Sequence, residues 1–149
     1  MTAVIRPALS DEVPELVATY DWLFAPPGAR PPAWDPGRAG ATLSEVIAAE
    51  EAEVLVAEVG GRIVGLCTIY LDIRSVRFGP RAWVEDLSVD PDSRSQGVGK
   101  ALLDAAKDWG RAHGATHLEL DSGTARTDAH RFYDRELPTS RSLCFGWEL

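Results

Sequence analysis

The chain has little with which to staple or ligate. Its 149 residues hold two cysteines and three histidines. Neither Cys67 nor Cys144 belongs to a CxxC pair or a Cys/His cluster, so no zinc or other metal site is expected. Both lie in apolar runs and are expected to pack as small hydrophobes. Long hydrophobic runs are also lacking. No stretch approaches the roughly 20 apolar residues of a membrane span, and the opening MTAVIRPALSDE has no signal-peptide layout. The expectation is a cytoplasmic protein with no membrane partner. Basic charge is scarce: 15 Lys and Arg stand against 23 Asp and Glu, a net charge of −8. Surfaces that track phosphate backbones need an excess of cations, so no nucleic-acid partner is expected. The acidic balance suits a cationic small molecule, or a merely solvated surface.

What the chain does have is the length and apolar content of one folded domain, residues 1–149, with a core that needs no staples. AVIRPA, residues 3–8, reads as a strand. A helix follows, capped by Ser10 or Asp11, with Pro14 in its first turn and Val13, Leu16, Val17 and Tyr20 on one side. The proline-rich stretch 25–37 reads as a loop near a site. A second helix is expected over 39–50. Strands are expected at 53–59 and from Arg62 on, turned by Gly60-Gly61. Gly79-Pro80 breaks the chain before a third long strand, 81–90. A main helix is expected from Gly97 to His113, with Gly114 as its C-cap. A strand at 116–121, a helix at 127–135 and a closing strand in LCFGWEL complete the pattern. The five tryptophans are core candidates by size. The fold class is therefore α/β (α+β): a mixed, mostly antiparallel central sheet flanked by helices.

Residues 94–100, RSQGVGK, stand between a strand and the main helix. Glycine costs about 1 kcal/mol relative to alanine inside a helix, so two glycines at a helix start need a reason. A helix N-terminus exposes unpaired N–H groups and partial positive charge. Glycines let an anion approach that backbone, and Arg94 and Lys100 add full charge beside it. The segment reads as a pyrophosphate cradle. The P-loop pattern is absent, and the dinucleotide fingerprint lacks its third glycine, since Leu102 stands there.

Arg94, Gly97 and Gly99 form an R-x-x-G-x-G signature, and in this the chain resembles the GNAT superfamily of N-acetyltransferases. LSVDPDSRSQGVGKALLDAAKDWGRAHGA is similar to that family's acetyl-CoA core, and AHRFYDRE, 129–136, resembles its later helix with the FY pair. The resemblance implies that backbone amides of Gln96, Gly97, Val98, Gly99 and Lys100 bind the CoA pyrophosphate. It implies that backbone groups of Leu87 and Val89 pair with the pantetheine arm as an added strand would. The acetyl group would then lie where the family's fourth and fifth strands splay apart. Two departures stand out. Arg126 or Thr127 replaces the asparagine that often starts the later helix, and the glycine-phenylalanine that commonly follows it is missing.

Acetyl transfer to an amine needs a neutral nitrogen. An alkyl amine with a pKa near 10 is only about 0.1% neutral at pH 7, a cost of roughly 4 kcal/mol. A base, direct or through water, removes the proton, and an acid helps the CoA thiolate leave. Glu85 is the first candidate base. By strand period it shares a side with Leu87 and Val89, and the Glu85-Asp86 pair resembles that of spermidine/spermine acetyltransferases. Asp86 is the runner-up, pointing to the other face unless a bulge intervenes. Tyr133 is the candidate acid. Trp22, Phe24 and Trp34 flank the loop expected at the acceptor, and Asp72 and Asp121 are placed to favour a cationic one. The expected function is acetyl-CoA-dependent N-acetylation of a primary amine on a small molecule, by direct attack in a ternary complex. The rivals are acetylation of a protein N-terminus or lysine, and a non-catalytic acyl-CoA-binding regulatory module. Family members are often dimers, so a homodimer is among the expectations.

Overall fold

The computed structural model describes residues 2–149. β1 (Val4–Pro7) leads through a 3-10 turn into α1 (Val13–Thr19), short α2 (Asp21–Phe24) and α3 (Pro36–Ala48). β2 (Ala52–Val59), β3 (Arg62–Ser75) and β4 (Gly79–Val89) follow as a meander. Then come α4 (Val98–Ala112), β5 (His117–Glu119) and α5 (Thr127–Arg135). The strands form one sheet in the order β1-β2-β3-β4-β5. The first four are antiparallel, and β5 lies parallel to β4 after the α4 crossover.

The sheet is covered on both faces, which is why β2 and β3 read as nearly continuous apolar runs rather than alternating ones. Val54, Val56 and Leu66 pack with Leu16 of α1 and Leu43 and Val46 of α3. Leu55, Cys67, Ile69 and Val84 pack with Val98, Leu102 and Ala106 of α4. α4 supplies that stripe at helical spacing and ends at His113, with Gly114 just beyond in the left-handed region.

Several sequence expectations need correction. α3 begins at Pro36, inside the expected loop, because Asp35 accepts from the Arg38 N–H and proline suits the first helical position. Neither Ser10 nor Asp11 caps α1 with its side chain. Instead the Glu12 carboxylate takes the Leu9 N–H at 2.6 Å and pairs with Arg6, which also holds Glu58. Gly79-Pro80 opens β4 rather than breaking the chain ahead of it. β5 is three residues long, shorter than 116–121. LCFGWEL forms no strand: residues 138–149 are irregular and exposed. Cys144 is accordingly exposed, while Cys67 is buried as expected. No tryptophan reaches full burial, and Trp147 is 82% exposed.

Candidate active site

β4 and β5 run together only from Arg81/His117 to Trp83/Glu119 and then part. A second irregularity falls at the same level. On the β3 side Val84 faces Ile69 and Asp86 faces Thr68, so Glu85 is an extra residue in a β-bulge. Val84 and Leu87 therefore both pack toward α4 although they stand three apart. The strand-period placement of Glu85 beside Leu87 and Val89 fails for that reason: the bulge interrupts the alternation. Glu85 is exposed and accepts from the Trp83 indole N–H at 2.7 Å.

Asp86 turns to the α1 side of the sheet. Its Oδ2 accepts from the Tyr20 hydroxyl at 2.7 Å and from the Thr68 hydroxyl at 3.2 Å. The Thr68 hydroxyl in turn accepts the Asp86 N–H at 3.0 Å. Burial pushes the Asp86 carboxyl above the usual carboxylate range, against the two hydroxyl bonds that favour its charged form. Burial and then the charge of Asp86 push the Tyr20 phenol up, so Tyr20 stays the donor. Sequence reasoning placed Tyr20 only on the apolar side of α1 and did not single out Thr68. The available signal was a hydroxyl inside the apolar run LCTIY of β3.

One cavity of about 270 Å³ collects these groups. Glu85, Asp86, Leu87, Asp121, Arg126 and Tyr133 all line it, with Phe24 at its α2 wall. The structure thus brings together both candidate catalytic residues, Glu85 and Tyr133. The Tyr133 phenol is pushed up to about 12, first by burial and then by Cys67, with Arg126 opposing. It is a neutral O–H at physiological pH. Cys67 is also pushed up to about 12 by burial, so it is a thiol and a poor nucleophile. A second hollow of about 320 Å³ beside α1 is lined by Val17, Asp21, Arg30 and Trp34. It holds neither bulge carboxylate nor Tyr133. Trp34 instead joins Tyr20 and Phe24 in an aromatic cluster, with centroids 5.5 and 4.7 Å away.

Beyond the bulge, β4 has a neighbour on one side only. Asp90 turns its N–H to Val64 of β3, and Asp86 turns its N–H to Thr68. Adjacent strand residues aim their amides in opposite directions, so Leu87 and Val89 present theirs to the open edge. The 3-10 turn Pro91–Ser93 then leads to the cradle. Gly97 caps α4 at φ +80°, and a Cβ there would meet nothing within 4 Å. The backbone is open to an approaching anion, and Arg94 and Gln96 beside it are exposed. Val98 differs in being buried in the α4 core, leaving only its N–H to the site. Gly99 offers something other than open space: a Cβ would meet the Phe132 ring at 3.5 Å, so α4 and α5 pack closely there. The Lys100 ammonium is engaged by Asp104 at 2.8 Å and Glu136 at 3.6 Å.

Other candidates resolve as structure. Asp72 is held by Arg81 at 2.9 Å, which keeps its carboxyl below the usual range. Arg126 donates to the Leu23 carbonyl at 3.1 Å, joining α5 to the α2 loop. Trp22 lines neither hollow.

The model of the Acetyltransferase (GNAT) family matches residues 16–137. The chain belongs to the GNAT family. The match takes in the second half of α1, the bulged strand, the cradle and α5. An uncharacterized N-acetyltransferase of Bacillus subtilis, YhdJ, is 48% identical over 59 residues, 40% of this chain and 42% of that protein. The aminoalkylphosphonate N-acetyltransferase of Salmonella typhimurium is 34% identical over 76 residues, 51% and 49% of the two chains. The chain thus spans about half the length of the curated relatives it matches. Among solved structures, the aminoglycoside N-acetyltransferase AAC(6')-Iy in complex with CoA superposes with a TM-score of 0.84 at 17% identity, over 99% of this GNAT chain and 94% of that one. At that identity the likeness concerns the fold. No helix among the described residues is long and apolar enough to cross a membrane.

Proposed function

We propose that this GNAT chain is a single-domain N-acetyltransferase that moves the acetyl group of acetyl-CoA to a primary amine of a small molecule. One observation carries the reading. Three carboxylates, Glu85, Asp86 and Asp121, and the half-buried Tyr133 share a cavity at the point where β4 loses its second neighbour, and the open edge runs on to a glycine cradle.

The residues present suit the cosubstrate. The amides of Gln96 to Lys100 and the side chain of Arg94 take the pyrophosphate. The edge amides of Leu87 and Val89 take the pantetheine arm as a strand would be taken. The chemistry follows from the groups in the cavity. Glu85 removes the ammonium proton, directly or through water. The neutral amine nitrogen bonds to the thioester carbon as the carbon–sulfur bond breaks, and the leaving sulfur takes the Tyr133 proton. The second nitrogen proton passes through water to the phenolate, and Glu85 returns its proton to solvent. Asp86, fixed by Tyr20 and Thr68, supplies negative charge that draws the ammonium group in. No acyl-enzyme is needed, because Cys67 is held as a thiol. The aminoalkylphosphonate and aminoglycoside acetyltransferases among the similar proteins support a small amine as acceptor.

Calorimetry with acetyl-CoA, CoA and NADH tests the cradle, and a screen of amines for CoA release tests the acceptor. Micromolar binding of acetyl-CoA but not NADH is expected, with turnover lowered strongly by Glu85→Gln. Absence of acetyl-CoA binding overturns the reading. Binding with activity only on peptides moves the acceptor to protein. Binding with activity insensitive to Glu85→Gln and Tyr133→Phe leaves only a regulatory module.

A further inference from the structure

The bulge that makes the site also takes Glu85 out of the ladder. Val84 faces Ile69 and Asp86 faces Thr68, so no β3 residue stands opposite Glu85, and β5 has already parted from the strand. The Glu85 side chain is exposed. An exposed glutamate left to itself spreads over many rotamers. No cation holds this one. Among the described residues its carboxylate has one partner, the Trp83 indole N–H at 2.7 Å. Arg126, in the same cavity, donates to the Leu23 carbonyl instead.

Trp83 is placed in the opposite way. It is the last residue of β4 with a neighbour on both sides, Tyr70 of β3 and Glu119 of β5. The Arg81 guanidinium lies over its ring, 4.8 Å from the centroid, inside the roughly 6 Å reach of cation–π attraction. Arg81 is itself fixed. Its Nε and Nη2 donate to the two carboxylate oxygens of Asp72 at 3.0 and 2.9 Å, and its Nη1 donates to Glu119 Oε2 at 3.2 Å. Strand alternation puts residues 81 and 83 on one face. A braced stack therefore runs along that face and ends in an N–H aimed across the bulge.

We infer that Trp83 is a positioning residue for acetyl transfer: it holds Glu85 Oε2 and leaves Oε1 to take the amine proton. The inference rests on Glu85 being the base of the proposed reaction. A neutral donor suits the task. A lysine or arginine in its place would offset the negative charge that has to meet the ammonium group. The indole only donates, so it fixes one oxygen and leaves the charge in place.

Two measurements test this, and the first needs no acceptor. Each of the five tryptophans gives one indole N–H signal in a proton–nitrogen correlation spectrum, and Trp83→Phe identifies the signal from position 83. Glu85→Ala removes the hydrogen-bond acceptor and is expected to move that signal upfield further than any other. A signal indifferent to Glu85→Ala overturns the proposal. The second measurement is kinetic, with an amine that releases CoA in the screen. Trp83→Phe keeps a ring beside Arg81 and removes the N–H. It is expected to lower kcat about 10–100-fold, with calorimetric affinity for acetyl-CoA within about twofold of wild type. In a Glu85→Gln background it is expected to cost nothing further. Equal losses in both backgrounds overturn the proposal, because Trp83 then acts on the fold and not through Glu85. Wild-type kcat in Trp83→Phe beside an impaired Glu85→Gln overturns this proposal alone. Full turnover by Glu85→Gln removes the base itself, and the proposal falls with it.

Discussion

The two halves of β4 belong to one strand and have opposite surroundings. From Arg81 to Trp83 it is paired on both sides: Ala82 faces Leu71 of β3 and Leu118 of β5 and is fully buried. Arg81 binds Asp72 on one neighbour and Glu119 on the other. From Asp86 to Val89 the strand is paired only to β3. The first half spends its backbone and charged groups on the fold. The second keeps an edge of amides, and a bulge turns two adjacent carboxylates into a cavity. A site is made here by withholding a neighbouring strand, and the paired half holds the unpaired half in place.

That contrast can be broken from either end. The largest effect is expected at the chemistry beside the open half. Tyr133→Phe should lower kcat by about 10²–10³, with calorimetric affinity for acetyl-CoA within about twofold of wild type. Next comes the closed half. Gly79 has φ +89°, and a Cβ would lie 2.9 Å from Thr116 Cγ2. Gly79→Ala should cost about 2–3 kcal/mol in urea unfolding while leaving kcat of the folded fraction unchanged. Gly97→Ala strains the backbone by about 1–2 kcal/mol at a position with open space. It should weaken CoA binding roughly tenfold by calorimetry.

Two smaller effects have opposite pH dependence and sharpen the comparison. The raised pKa of Asp86 favours folding below its unfolded value of about 3.9 and withdraws that help as pH climbs through the raised value. Asp86→Asn cannot ionise, so it should gain stability on wild type between acid and neutral pH, measured by urea unfolding. Glu12, remote from the site, behaves the other way. The Arg6 guanidinium holds its carboxyl below the usual range. Its contribution is present above about pH 4.3 and lost as pH falls through the lowered value. Glu12→Gln should cost about 1 kcal/mol at pH 7 and nearly nothing in strong acid.

Much of the closed half and its surroundings was legible in the sequence. Helical period and a terminal glycine placed α4 almost to the residue, and Thr127–Arg135 was read as it stands. The cradle was legible because glycine, strand and helix fall together along the chain. The bulge was not, because one inserted residue leaves no local mark beyond adjacent acids in a strand. The Asp86 contacts were not either: Tyr20 and Thr68 lie 66 and 18 residues away and meet Asp86 only once the sheet and α1 are packed. The tail misled for the opposite reason. Its alternation is that of a strand, but alternation states which face wants cover and says nothing of who supplies it.

Gly28 carries one more consequence. A Cβ there would lie 2.0 Å from the Leu23 carbonyl and 2.7 Å from Arg126 Nη2, so the α2 loop and the start of α5 are clamped together around a missing side chain. These are two of the cavity's walls, and the Arg126–Leu23 hydrogen bond ties one to the other. In the proposed reaction the opening acts as a gauge: an acceptor is sorted by the width of its amine-bearing end, and whatever trails behind stays in solvent, unmeasured.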